Sequence, residues 1–377
     1  MSSAVDDYST FTTAYSLAGF GPSSSLQRRA PAVTCGVTCG FLLLALAAVS
    51  PSALIVVSDS PFPPSVLIVS SATVERAKAF LRDIEQSNGG PNCGGQFSQR
   101  RFALLFLPGT YDLDVQVAYY VQVAGLGRRP EEVTFTGPRG VHALNCGPEP
   151  PTPHVGKPYA DVGALDVFWR SVEHVRVAGP MVWAVSQAAP LRNVQCESLT
   201  FSDGGGWSSG GYAAGANISG ALSFGTQQQA FIRNSAWATI DGLPSFNLVA
   251  LGTTPALRPR CGEGDGAVAS VPDTPAIAEK PRLLWSEASG GLVLAIPTVR
   301  RHASGLSTPS RPHPLSDSAP GERARLEWRT DEPRQVEVPL SDTSRIYVAT
   351  DADSAAAINS ELGRGEWLLI DPHFINT

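Results

Sequence analysis

Hydrophobic and polar positions follow more than one period along this chain. Over residues 72–87, ATVERAKAFLRDIEQS, the apolar positions Val74, Ala77, Phe80, Leu81 and Ile84 recur at helical spacing and predict one amphipathic helix. A Gly/Asn/Cys loop comes next, and then FALLFLPG at 102–109, apolar at every position before Pro108, as in strands buried on both faces of a parallel sheet. Pro108-Gly109 ends the strand: proline has no N–H for the next ladder bond, and glycine permits a tight turn before YDLDVQV resumes an extended alternation.

Short β-prone runs then recur: YYVQVAGLG, EEVTFTG, VEHVRVAG, NVQCESLTFSD, ANISGALSFG, FIRNSAW and FNLVALG. Most end at Gly, Asn or Asp, and no helical period separates them. Such strands suit a sandwich or a solenoid. The solenoid is favoured because the runs are very short, glycines flanked by small side chains mark the turns, and the helix stands where it would cap the open end of a stack. A Pro/Gly-rich connector at 253–273 breaks the pattern, and PRLLWSEASGGLVLAIPTVRR reads as two strands joined by a Ser-Gly-Gly turn, a hairpin. A Ser/Pro-rich, mixed-charge stretch from Ser304 has linker composition. Beyond it, RIYVATDADSAAAINSELGRGEWLLIDPHF repeats the earlier order of helix and then apolar strand, with the helix expected over 354–362. A unit of this kind needs a stacked neighbour. The chain is therefore expected to hold one full module and the truncated start of a second.

Composition narrows the picture. Of 377 residues 43% are hydrophobic, 16% are charged, and Gly 36 and Pro 31 make a turn-rich, weakly charged surface. A net charge of −6 without a basic cluster excludes the footprint needed to hold nucleic acid. Arg28-Arg29 followed by FLLLALAAVS has the order of a secretory signal, cleaved near Ala47 or Ser52; an uncleaved signal anchor is the alternative and the one route to a membrane. Cys35 and Cys39 would leave with a cleaved signal. Cys93, Cys146, Cys196 and Cys261 allow two disulfides in an oxidising compartment, and the sequon at Asn217 fits secretion. No CxxC or His-bearing cluster accompanies the cysteines, so neither a zinc site nor another cofactor is expected.

The motifs RFALLFLPGTY, VQVAGLGRRPEEVTFTG, FWRSVEHVRV, WAVSQAAPLRNV, DGGGWSSGGY, GTQQQAFIRNSAW and EKPRLLW resemble, in the same order over 62–374, secreted bacterial and fungal proteins labelled "coagulation factor 5/8 type domain" or "adenylyl cyclase". Neither label's chemistry is visible: there is no nucleotide-phosphate loop, and the discoidin domain is absent. The resemblance implies an all-β fold, a right-handed single-stranded parallel β-helix of the pectin-lyase type, similar in layout to twin β-helix exo-β-1,3-glucanases. It divides the chain into a leader at 1–53, a first β-helix module at 62–255, a connector and hairpin at 256–303, a linker at 304–340 and the start of a second module at 341–377. If catalytic carboxylates lie in the later module or between modules, they are outside this sequence.

Candidate contacts for a polysaccharide follow from side-chain chemistry. Asp203 stands beside Trp207 on the glycine-rich loop DGGGWSSGGY, where an aromatic face can stack on a sugar while a carboxylate holds hydroxyls; a plain turn with a core tryptophan is the alternative. Trp169, Arg170, Trp183 and Gln187 could line a groove or pack inside. Gln227, Gln228, Arg233 and Asn234 offer either a polar lining or an interior amide ladder. Hydrolysis of a glycosidic bond uses two carboxyl groups, and Asp203, Glu197, Glu173 and Asp241 fall on different turns that stacking could bring together. Two functions are compatible with these features: a secreted polysaccharide hydrolase of the glucan type, expected to be a monomer, or a carbohydrate-binding or cell-surface scaffold without catalysis.

Overall fold

The computed structural model describes residues 62–89, 95–145, 163–261, 266–297, 299–306, 335–342, 346–349, 353–363 and 367–370. The leader at 1–53, Cys93, Cys146 and most of the expected linker lie outside them. Among the described residues no helix is long and apolar enough to cross a membrane.

The chain folds as a parallel β-helix. Its principal face contains nine strands, each hydrogen-bonded to the next: β1 Val66–Val69, β2 Phe102–Phe106, β3 Val121–Gly125, β4 Arg170–Glu173, β5 Pro190–Arg192, β6 Gly211–Ala214, β7 Gln229–Arg233, β8 Asn247–Leu251 and β9 Ala267–Val271. Every pairing is parallel. A second face stacks Gly109–Tyr111, Val133–Phe135, Arg176–Val177, Gln195–Cys196 and the first half of Asn217–Ser223. A third face carries Val115–Gln116 on Val141–His142, and Met181–Val182 on Leu199–Thr200. Asn217–Ser223 serves both, because a register shift between Ile218 and Ala221 bends it around the corner.

Alternation explains the core. Phe102, Leu104 and Phe106 of β2, Val121 and Val123 of β3, and Leu191 and Ile232 on later turns all point into one interior cluster. Each such side chain contributes about 1.5–3 kcal/mol on burial. Helix α1, Val74–Asn88, links β1 to β2 and lays Ala77 and Ile84 against that cluster, as its periodicity predicts. Strand β2 is also buried on its outer face, where Leu105 and Leu107 meet Leu126 and Leu292. That cover comes from the predicted hairpin, Arg282–Ser286 paired antiparallel with Gly291–Pro297.

Two boundaries differ from expectation. The β-helix does not stop at residue 255, since β9 continues the principal sheet on β8. The small side chains of AVASV and the preceding Pro/Gly stretch hide that strand in the sequence. Likewise Gln335–Pro339, expected within the linker, is a strand paired with Gly291–Pro297, its Val338 buried against Leu294 and Ile296. Finally, Ile346–Ala349 and Trp367–Ile370 pair in parallel across the helix Ala355–Gly363. This is the order of β1, α1 and β2, so the internal repeat is structural as well as sequential.

Candidate functional site

Two corners of the coil hold the backbone in the left-handed region, and they differ in the residues they use. After the principal sheet the corner position is His174 (φ 57°), Asn193 (50°), Gly215 (67°), Asn234 (46°) and Gly252 (57°) on successive turns. These are types that tolerate such a conformation. Before the sheet the equivalent column is Tyr120 (φ 58°), Trp169 (51°), Ala188 (56°) and Gly210 (90°). Bulky aromatic residues are costly there, by about 1–2 kcal/mol each.

That second column is the first outward row of the principal sheet. Arg101 sits over the Tyr120 ring at 3.7 Å from its centroid, and Tyr120 stacks on Trp169 with centroids 6.4 Å apart and planes at 16°. The Tyr120 N–H donates to the Trp169 carbonyl, which fixes the two in adjacent turns. Trp169 remains 48% exposed. The next two turns of the row are small, Ala188 and Gly210, and a Cβ on Gly210 would lie 2.8 Å from Gln187 Cγ, so the exposed Gln187 lies over this gap. Gln229, on the following turn, is exposed.

The connectors feeding the same sheet carry further exposed aromatics, Trp207 at 44% and Phe246 at 60%. Trp207 follows Asp203 and three glycines, of which Gly204 (φ 84°) and Gly206 (φ 85°) take conformations other residues rarely adopt. The loop is pinned by Asn145, whose side-chain amide donates to the Asp203 carbonyl at 2.8 Å and the Gly205 carbonyl at 3.1 Å, while its N–H reaches the Asp203 carboxylate at 3.3 Å. Asp203 and Trp207 are therefore both presented to solvent on one loop, and Trp207 is not the core tryptophan of the alternative reading. Asp203 also acts on buried His142, whose burial lowers its pKa below the usual imidazole value while Asp114 and Asp203 oppose that shift.

Other predicted contacts are structural. Trp183 is fully buried, its indole N–H donating to the Ala189 carbonyl at 2.9 Å. Arg170 points inward, against the alternation a polar residue would suggest, and is held by the Phe168 and Val117 carbonyls and the Tyr119 ring. Burial pushes its guanidinium down to about 10. Gln227 is the interior amide, donating to the Val185 and Phe201 carbonyls and accepting from the Gly211 N–H. Gln228 is half-buried and bridges turns through its backbone, to Ser208 and Phe246. Asn234 fills the tolerant corner and bonds Ala303 and Thr274.

Arg233 and Glu173 belong to a strap across the third outward row of the sheet. Arg233 makes a two-pronged pair with Glu279 at 2.8 Å and donates to the Tyr212 hydroxyl at 3.0 Å, and Lys280 grips Glu173 at 2.8 and 2.9 Å. Glu173 is thus withdrawn from candidate chemistry. Cys196 and Cys261 are both free thiols, so the two disulfides that four cysteines allow do not both form. Cys196 lies in the interior, where an apolar role replaces pairing, and burial pushes its thiol up to about 12. The sequence did not single out Arg101, Tyr120 or Phe246; the doublet Tyr119-Tyr120 ahead of a strand was the available signal, since one of two neighbours must face outward.

Fold and edge together define a parallel β-helix protein with an aromatic and amide-rich seam. No family model matches the chain. In sequence it is similar to an exo-β-1,3-glucanase of Streptomyces sp. (strain SirexAA-E / ActE), 30% identical over 329 residues, which cover 84% of this chain and 46% of that protein. The solved structure of sacteLam55A from Streptomyces sp. SirexAA-E superposes with a TM-score of 0.64 at 27% identity, over 82% of this chain and 49% of that one. A single-residue variant of the same protein in complex with glucose matches equally well. This chain spans about half the length of the relatives it matches.

Proposed function

We propose that this chain is part of a secreted β-1,3-glucan hydrolase that acts as a monomer. The observation that carries this is the 30% identity to an exo-β-1,3-glucanase spread over 84% of the chain, together with a shared coil. Residues 62–271 form the first β-helix module, and the repeated strand, helix and strand of 346–370 open a second. Support for secretion comes from the basic pair and apolar tract of the leader. In this reading Asp203, Glu197 and Asp241 are the exposed acids available to the chemistry, with Glu173 excluded by Lys280.

A scaffold that binds glycan without cleaving it is the second reading, and the neutralised Glu173 favours it. The purified chain should release sugar from soluble β-1,3-glucan and leave α-glucan and pectin intact, measured as reducing ends over time. Binding to β-1,3-glucan with no released sugar, from this chain and equally from a longer form carrying a full second module, would establish the scaffold instead. Release from pectin alone would overturn both.

A further inference from the structure

The two left-handed corners pose a question of selection. One uses Asn, Gly and His, residues that accept the conformation readily. The other is just as left-handed but places Tyr120 and Trp169 there on adjacent turns, although Gly210 in the same column shows that glycine serves. Backbone geometry therefore disfavours these aromatics. Packing does not explain Trp169 either, because nearly half of it is exposed. Strain of this kind at an exposed aromatic points to a role for the side chain itself.

Extending the strand register upstream puts Arg101, Tyr120, Trp169, Ala188, Gly210 and Gln229 in one line along the coil axis. One face of the Trp169 indole is covered by Tyr120, which Arg101 backs in turn. Along the row in the other direction come Ala188 and then Gly210, which the Gln187 side chain covers, so that only the Ala188 methyl stands between Trp169 and Gln187, across about 10 Å at the usual strand spacing. At the gap are the amides of Gln187 and Gln229. Its occupant must present an apolar face to an indole and hydroxyls to amides, and needs no charge, since the one charge in this line, Arg101, lies behind the stack.

We propose that this gap is a stacking subsite for a neutral glucan: one pyranose ring lies on the open face of Trp169 above Ala188, against the Gln187 side chain that covers Gly210, with Gln187 and Gln229 bonding its hydroxyls. It holds the polymer and takes no part in bond cleavage. The subsite rests on the glucan assignment above. The polymer leaves it along the edge that displays Trp207 and Phe246.

The test is binding of the full chain to insoluble β-1,3-glucan, with the melting temperature measured in parallel. Trp169→Gly removes the platform and relaxes the backbone, so binding should weaken about tenfold or more, with an unchanged or higher melting temperature. Trp169→Tyr should keep most of the binding. Val299→Ser, an exposed apolar position elsewhere, should bind as the unaltered chain does. If Trp169→Gly binds normally, the subsite is wrong and the glucan assignment stands. If it loses melting temperature along with binding, Trp169 is a packing residue and the subsite is equally wrong. If the unaltered chain fails to bind β-1,3-glucan, the glucan assignment falls and takes the subsite with it.

Discussion

His174 shows how one residue can combine a tolerated backbone with an ill-fitting side chain. Its φ of 57° suits the corner, yet the imidazole is buried without a well-formed hydrogen bond at either nitrogen. Burial, and secondarily the Arg282 guanidinium, push its pKa well below 6.5, against a weaker opposing pull from the Arg128 and Gly127 backbone. The folded protein therefore keeps the ring neutral while the unfolded chain takes up a proton below about pH 6.5, so stability is present above that value and falls as pH is lowered. Replacing it with the residue found at the same corner on neighbouring turns, His174→Asn, should flatten the decline in melting temperature between neutral and mildly acidic pH. An unchanged slope would assign the pH dependence to other groups.

Among the elements, the strap separates a structural charge pair from a cosmetic one. Arg233 and Glu279 have side chains only 11% and 13% exposed, and bond through both prongs. Glu279→Gln strips the pair of its negative partner and should cost on the order of 3 kcal/mol in urea unfolding. Lys280 is 47% exposed, so Lys280→Ala should cost less than about 1 kcal/mol despite its equally short contacts. Equal losses would mean that the strap is held by its backbone and the hairpin rather than by these side chains. The motif EKPRLLW that begins at Glu279 is thus explained: its charges clasp the sheet, and its apolar end covers β2.

Across the whole molecule, the legible parts of the fold were those with strong local signals. The α1 periodicity and the unbroken apolar run of β2 each named their own environment, and the short glycine-bounded strands implied stacking. The site was less legible. Trp169 and Trp183 look equivalent in sequence, but one sits in a left-handed corner facing out and the other faces the interior, a difference set by where each turn bends. Arg170 points inward because its neighbour occupies that bend, and no propensity scale anticipates an inward arginine. β9 escaped because its side chains are small and a Pro/Gly-rich stretch precedes it, and Gln335–Pro339 because its partner lies about forty residues away.

The bends themselves make a further prediction. From the principal sheet to the second, two residues intervene on four successive turns: 174–175, 193–194, 215–216 and 234–235. One residue inserted after Asn193 would turn the inward side chains of Gln195–Cys196 and Leu199–Thr200 outward, as far as the loop at 201–210, and should lower the melting temperature sharply. The same insertion within Gly204–Gly206 should leave the melt intact. A melting temperature unchanged by the first insertion would show that the corner is not fixed.

The opposite seam has no such fixed gauge, running 183–189 on one turn, 201–210 on the next and 224–228 on the one after. Across these turns new length can therefore enter along one edge without shifting the phase of the turns downstream. Kindred proteins should differ most there, so that one invariant coil could be retailored to polymers of different linkage by lengthening a few loops.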